Sequence, residues 1–390
     1  MKRWLLMMLT VSLLLSGCSG IREGHFHMVE PYGPESDQPG SQNISVTNFD
    51  ELCRALADLI KQGIKNQAIS FAQYDQEKLD QDMRRAIWQL QTYDPITAYA
   101  VEKITYEKGT STGRSAVAVN IFYIHDRAEI QKIQKAQNMK QAQQMIHVAL
   151  NNCEAGVVLL LEDYDDTDFV QMVDDYAFRY PQMVIEVPKV AANVYPKTGE
   201  QRVVELKFTY SNSREVLRNM QSQVSSVFSA AELYAISKGP SLKKAELFYT
   251  FLMERYDYQL VTSVTPAYSL LCHGVGDSRA FAAVYAAMCE KTGLECQVIT
   301  GTRWGQPWSW NLVCVNGVYY HIDLLRCSEE GDFKTWMDAD MEGYVWDFSA
   351  YPQSVLPDTE TQSATQPTEE WLENDSEYSS GYNKKGTVQW

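Results

Sequence analysis

The chain has 390 residues, 45% of them hydrophobic and 12% aromatic, with 23 Tyr and 9 Trp. That is enough apolar surface for two or three folded cores, and it excludes a disordered polyelectrolyte. A formal charge of −16 with no long basic stretch excludes a nucleic-acid partner, because duplex binding needs cationic patches that neutralise phosphate.

Residues 1–18 read MKRWLLMMLTVSLLLSGC: two basic residues, an apolar run from Trp4 to Leu15, then small residues. This is the pattern of a secretory signal, too short for a comfortable membrane span. Leu15-Ser16-Gly17-Cys18 also resembles the bacterial lipoprotein processing motif. That resemblance implies a lipidated Cys18 as first mature residue and an extracytoplasmic protein anchored to the cell membrane; a plain signal peptide cleaved nearby is the other reading. Residues 19–44, rich in Gly, Pro, Ser and Gln, suit a flexible tether.

From Asn48 the pattern turns helical, with Leu52, Ala55, Leu56, Leu59 and Ile60 at helical spacing behind an Asn-Phe-Asp-Glu start. A short strand is expected over Ala68–Gln73, then a helix with Leu79, Met83, Ile87 and Leu90 on one face, then β-rich runs near 99–107 and 116–124. The order recurs: AISFAQYDQ at 68–76 resembles VVLLLEDYDD at 157–166, and AVNIFYIHDRAEIQKI at 118–133 resembles VELKFTYSNSREVLRNM at 204–220. The expected fold is therefore α+β, with two copies of an α-β-α-β-β-α module at 45–138 and 139–228. Asp163, Asp165, Asp166 and Asp168 lack the central Gly and twelfth-position Glu of a calcium loop. They read as acids favoured by the dipole of the following helix.

Seven cysteines besides Cys18 form no zinc spacing, and their odd number leaves at least one unpaired within the chain; no metal or cofactor is expected. A third region, 229–356, opens with a helix from Ser241 that turns Leu247, Phe251 and Leu252 toward a core. Residues 357–390, with seven acids against two lysines, read as a solvated acidic tail.

Within the third region four motifs stand in order: ERYDYQL, GVGDSRAFA, PWSWNLV and YYHIDLL. Together they resemble the transglutaminase-like superfamily, a papain-related fold. There a helix feeding a Tyr-Asp pair precedes the turn that opens the nucleophile helix, and two later strands bring the catalytic His and its acid. The resemblance implies that Ser278 stands at the nucleophile position, Trp308 at the base and Asp323 at the acid. A thiolate mechanism needs sulfur at the helix start and an imidazole beside it, and neither is present. No catalytic residue is therefore expected. Asp277 or Ser278 caps a helix from Arg279 to Met288, and Ser278 is read as the cap.

Two rescues of catalysis remain open: His321, two residues before Asp323, in place of the missing base, or Cys272 beside His273. Trp304, Trp308, Trp310 and Asn311 fall where the family's substrate groove would lie. They are either a binding surface for a peptide or cell-wall glycan, or ordinary core and surface packing. The expected whole is an envelope lipoprotein with an inactive domain that binds or scaffolds. A residual cysteine or serine hydrolase or acyltransferase is the alternative.

Overall fold

The computed structural model describes residues 43–111, 114–234, 240–260 and 265–354. Cys18, the tether up to residue 42 and the tail from 357 lie outside them. The fold is mixed α/β, and the described residues group into two compact units, 43–135 with 194–203 and 136–193 with 204–354.

The first unit begins with β1 (Ile44–Ser45) and α1 (Phe49–Lys61). Asn48 caps α1, its side chain accepting the Glu51 amide; the Glu51 carboxylate reaches back one residue further than a capping box requires, to the Thr47 amide and hydroxyl, both at 2.8 Å. β2 (Asn66–Ser70) is earlier than the expected Ala68–Gln73, because the chain turns at Phe71, whose carbonyl receives both the Tyr74 amide and the Gln76 side chain. α2 (Leu79–Tyr93) buries Leu79, Met83, Ala86 and Leu90; Ala86, not Ile87, completes the stripe. A short helix unread in the sequence, α3 (Pro95–Ala100), follows, with Asp94 as N-cap and Pro95 in the first turn. It delays β3 (Val101–Ser111), which pairs antiparallel with β4 (Arg114–Tyr123) ahead of a single turn, α4 (Arg127–Ile130). The strand order is β1-β2-β4-β3.

Next come β5 (Gln134–Ala136), α5 (Met139–Asn151), β6 (Gly156–Leu161), α6 (Phe169–Arg179), β7 (Lys189–Tyr195), β8 (Arg202–Thr209) and the long α7 (Arg214–Tyr234). Their sheet runs β5-β6-β8-β7. Of the four acids before α6, Asp168 is the N-cap, accepting the Val170 and Gln171 amides, and none lies in the first turn. Among the described residues no group of acids, His and Cys is arranged to hold a metal ion, and no helix is long and apolar enough to cross a membrane.

The remainder comprises α8 (Ser241–Met253), β9 (Asp257–Tyr258), α9 (Pro266–His273), β10 (Val275–Gly276), α10 (Ser278–Lys291), β11 (Cys296–Arg303), β12 (Gln306–Val315), β13 (Val318–Ile322), α11 (Leu324–Glu330) and β14 (Tyr344–Val345). α8 turns Ala245, Phe248, Phe251 and Leu252 inward, with Leu247 only half-buried. α10 buries Ser278 and every residue from Ala280 to Cys289, an all-round apolar helix made thin by five alanines. Helices α7, α8 and α9 contribute Phe228, Phe248 and Leu270 to the core around it, and the sheet β13-β12-β11-β14 adds Val313 and Ile322. The second core, Ile299, Trp310, Leu312, Cys327, Trp336, Met341 and Tyr344, is also built on this sheet.

Two tight hairpins fix the register of that sheet. Trp304-Gly305 joins β11 to β12 and Asn316-Gly317 joins β12 to β13, all four residues having positive φ, as a two-residue turn that follows the strand twist requires. The seven described cysteines are all free thiols.

Candidate functional site

The glycine-punctuated stretch before α10 brings the site together. Gly274 ends α9 at φ +83°, a left-handed conformation that costs glycine little. The chain then runs as β10 parallel to β9, so Tyr258 lies beside Gly276 and the helix starts immediately afterwards. Asp277 is the N-cap, accepting the Ala280 amide at 2.8 Å. Ser278 is therefore not the cap. It is the first helical residue, it is buried, and its hydroxyl accepts the Ser309 backbone amide at 3.2 Å.

One turn further along the same face, the Ala282 carbonyl accepts the Asn311 side-chain amide at 2.9 Å. Positions four apart on the helix thus meet positions two apart on β12, the two periods that place side chains on one face. Ser278 and Asn311 fasten α10 to the sheet.

Trp308 and Asp323 are brought together. The indole Nε1 donates to Asp323 Oδ2 at 2.8 Å, and the Tyr344 hydroxyl donates to the same oxygen at 2.7 Å. Asp323 Oδ1 receives the Leu325 and Arg326 amides at 3.0 and 3.2 Å, which makes this residue the N-cap of α11. The carboxylate is only 1% exposed, and all its contacts are donors. Its proximity and burial push the Tyr344 phenol far above its ordinary range, so that group stays a donor. The Trp308 ring is covered by Tyr258, with centroids 5.6 Å apart, and by the Arg303 guanidinium at 5.3 Å. Arg303 is in turn held by both oxygens of Glu329.

Neither rescue residue is placed to supply a base. His321 is 1% exposed with both ring nitrogens engaged: Nδ1 accepts from Trp310 Nε1 at 2.9 Å, which leaves the proton on Nε2, 2.7 Å from Asp338 Oδ1. Burial lowers its pKa and the Asp338 carboxylate partly opposes that shift. Cys272 and His273 are successive residues of α9, about 100° apart around its axis. The half-buried Cys272 thiol is pushed up by desolvation, and the His273 ring packs edge-on against Tyr268 at 5.1 Å.

The four residues offered as a binding surface divide. Trp310 and Asn311 are 1% and 0% exposed; Trp310 packs among Tyr344, Trp346 and His321, so both belong to the interior. Trp308 and Trp310 share one face of β12; Trp308, nearer the start of the strand, is half-buried, and Trp310, further along it, is in the core. Trp304 is 67% exposed at φ +51°, its ring lying so close to Gly343 that a Cβ there would approach it to 2.7 Å. Tyr258, 39% exposed, lies against Trp308 and was missed from the sequence. Only the Tyr-Asp motif preceding the nucleophile turn could have signalled it. A separate cleft of about 1300 Å³ in the first unit, lined by Lys65, Phe122, Ile124 and Arg127 among others, contains none of these groups.

The comparison with known families decides how this arrangement is read. A model of the transglutaminase-like superfamily matches residues 230–346. Residues 230–346 form a transglutaminase-like domain. Among solved structures, a TGase is similar at 10% identity over 56% of this chain and 63% of its own, with a TM-score of 0.25. The chain thus spans less than two thirds of that protein. A protein from Cytophaga hutchinsonii, named as a candidate cysteine protease, is similar at 11% identity over 40% of this chain and 70% of its own, also with a TM-score of 0.25. A candidate protease from Parabacteroides distasonis is 8% identical over 66% and 39%, with a TM-score of 0.22. No curated protein sequence matches the chain.

Within the transglutaminase-like domain, Ser278 opens α10, Trp308 lies on β12 and Asp323 caps α11. The Ser278 hydroxyl accepts a backbone amide, and an indole that can only donate lies against the Asp323 carboxylate from β12.

Proposed function

We propose that the chain is a lipid-anchored extracytoplasmic protein whose transglutaminase-like domain binds a peptide or cell-wall glycan without turning it over. One observation carries the loss of catalysis: Trp308 Nε1 donates to Asp323 at 2.8 Å, where a working site needs a group that takes a proton from the nucleophile. A serine hydroxyl is a poor nucleophile without such a base, and Ser278 already accepts the Ser309 amide.

Binding is supported by the aromatics left at the surface. Trp304 holds a bulky side chain at positive φ, a conformation that disfavours it, and still presents 67% of its area to solvent at the turn leading into β12, the strand that carries Trp308. Flat rings beside a few polar groups suit sugar faces and extended peptides. The anchor and the export rest on the basic-apolar-small pattern ending at Cys18. The two N-terminal modules are read as copies of one unit, a reading supported by their matching element order and by the matching sheet orders β1-β2-β4-β3 and β5-β6-β8-β7.

The test pairs turnover with binding. Purified protein is incubated with amine donors plus glutamine peptides and with a panel of peptidase substrates, and separately titrated with muropeptides while tryptophan fluorescence is followed. The expected outcome is no turnover, together with a saturable fluorescence change that Trp304→Ala weakens. Turnover abolished by Ser278→Ala or Asp323→Ala would show the domain to be an enzyme and refute this reading.

A further inference from the structure

Helix α6 has two faces in use. Phe169, Val173 and Ala177 fill the core beneath it, while Phe178, one residue past that stripe, lies under the Arg279 guanidinium of α10, 4.8 Å from the ring centroid. The next two residues complete the contact: Arg179 Nη2 and Tyr180 Oη donate to Glu290 Oε1 at 3.0 and 3.3 Å. So α6 holds α10 near both ends, by a cation over an aromatic ring at one and an ion pair at the other.

Helix α2 occupies the corresponding place in the first unit, after the strand of the same rank in its sheet. Tyr74 and Tyr164 set the offset between the modules at 90 residues. At that offset Leu79 and Met83 correspond to Phe169 and Val173, all four of them buried, and Trp88 falls on Phe178. Trp88 is 58% exposed, and Tyr93, stacked edge-on against it with centroids 5.5 Å apart, is 55% exposed. A single exposed aromatic needs no explanation, but here the corresponding position of the other module already holds a helix.

We propose that the Trp88–Tyr93 face of α2 docks a helix of a partner protein in the way α6 holds α10, an inference that rests on reading the two modules as copies. The chemistry of the partner follows from the turn before the aromatic. α2 carries two exposed arginines there, Arg84 and Arg85, so the complement of this face is a carboxylate. Arg84 pairs with Asp80 while leaving 73% of its side chain exposed, and Arg85 lies over the Phe49 ring at 4.7 Å. The partner helix therefore presents small residues flanked by an acid in its first turn, where its dipole also favours one.

Two synthetic peptides test this, both covering Asp277–Gly293 with Cys289→Ser, one otherwise as in the chain and one also carrying Arg279→Glu. Each is labelled and titrated by fluorescence polarisation into the full chain and into Trp88→Ala and Arg85→Glu variants, whose altered side chains are surface groups. The Arg279→Glu peptide is expected to bind about tenfold more tightly than its parent, to lose about tenfold against Trp88→Ala, and to lose its preference over the parent against Arg85→Glu. Equal binding to Trp88→Ala, or no binding of either peptide, overturns the proposal. So does self-association of the chain in sedimentation that Trp88→Ala abolishes, which would make the occupant a second copy. Binding to phosphatidylglycerol vesicles lost in Trp88→Ala also overturns it, making the occupant a lipid surface.

Phe178→Ala separates the premise from the proposal. If hydrogen exchange shows α6 loosened by that change while neither peptide binds, the docking proposal fails and the reading of the modules as copies stands. If α6 is unaffected, the template contact is lost and the proposal goes with it.

Discussion

Replacing Trp308 by Phe should destabilise the second unit by about 1.5–4 kcal/mol, and the sum can be built from its parts. The change removes one of four donors on a carboxylate that is 1% exposed, the others being Tyr344 Oη and the Leu325 and Arg326 amides. A hydrogen bond to a charged group contributes about 1.5–3 kcal/mol net. Exchanging the half-buried indole for a smaller ring adds at most about 1 kcal/mol of lost apolar burial. Tyr344→Phe isolates the first part, because the ring stays and only the hydroxyl goes, so it should cost about 1.5–3 kcal/mol. Both donors converge on Oδ2, and the double variant, which leaves that oxygen buried with neither, should cost more than the sum of the singles. Urea denaturation at constant m value measures all three. If Tyr344→Phe costs under about 0.5 kcal/mol and Trp308→Phe no more than its area term, the acid is not held by these donors. The assignment of Trp308 as occupant of the base's place would then be wrong.

Acidification should destabilise the protein partly through His321, whose folded pKa lies below its ordinary value of 6.5 because of burial. The unfolded chain takes up that proton first, so stability falls as pH drops below about 6.5 and is flat above it. His321→Gln, which keeps an acceptor for the Trp310 indole, should shrink the drop in urea midpoint between pH 7.5 and 5.5, and an undiminished drop would refute the assignment. Native-state alkylation at pH 8 should leave Cys327 unmodified, its thiol being pushed up to about 12 by burial, and should label Cys272 more slowly than free cysteine; mass spectrometry reads both. Gly301→Ala should cost about 1–3 kcal/mol in thermal unfolding, since a Cβ there would meet the Val345 carbonyl oxygen at 2.1 Å and force β14 off β11; an unchanged midpoint would show that the strand yields freely.

How much of this was legible depended on whether the signal was local. The cap at Asn48 and the apolar stripe of α1 could be read directly, since both act within one helix. So could the four ordered motifs of the third region, because their spacing survives even where residue types have changed. The cap of α10 was misassigned because Asp277 and Ser278 are equally good cap residues. What decides between them is the Ser309 amide, 31 residues later, which claims the serine hydroxyl. The tryptophans misled for a similar reason. Three rings within seven residues look alike in sequence, yet a turn puts Trp304 outside, the start of β12 leaves Trp308 at a rim, and a place further along the same face of the strand buries Trp310. The engagement of His321 by Trp310 and Asp338 joins three segments and has no local signature.

On the proposed reading, in which Trp308 stands in the place of a base, the presence of Asp323 needs no residual chemistry to explain it. Oδ1 caps α11 by receiving two of the amides that a helix start leaves without intrahelical partners. Oδ2 ties that helix to β12 through Trp308 and to the closing segment through Tyr344. Replacing the acid by Ala would remove the acceptor for all four donors, two of which, the Leu325 amide and the Tyr344 hydroxyl, make buried hydrogen bonds. The nucleophile position differs. Ser278 makes one neutral hydrogen bond, and its neighbour Asp277 does the capping, so sulfur or oxygen there satisfies the fold about equally. The base position differs again, since any planar ring with an N–H can serve Asp323 from it. Folding therefore constrains the acid strongly, the base only to a donor, and the nucleophile hardly at all. If catalysis is lost as proposed, folding alone is expected to retain an acid, to accept any donor and to leave the third position free, an expectation that Asp323, Trp308 and Ser278 fit.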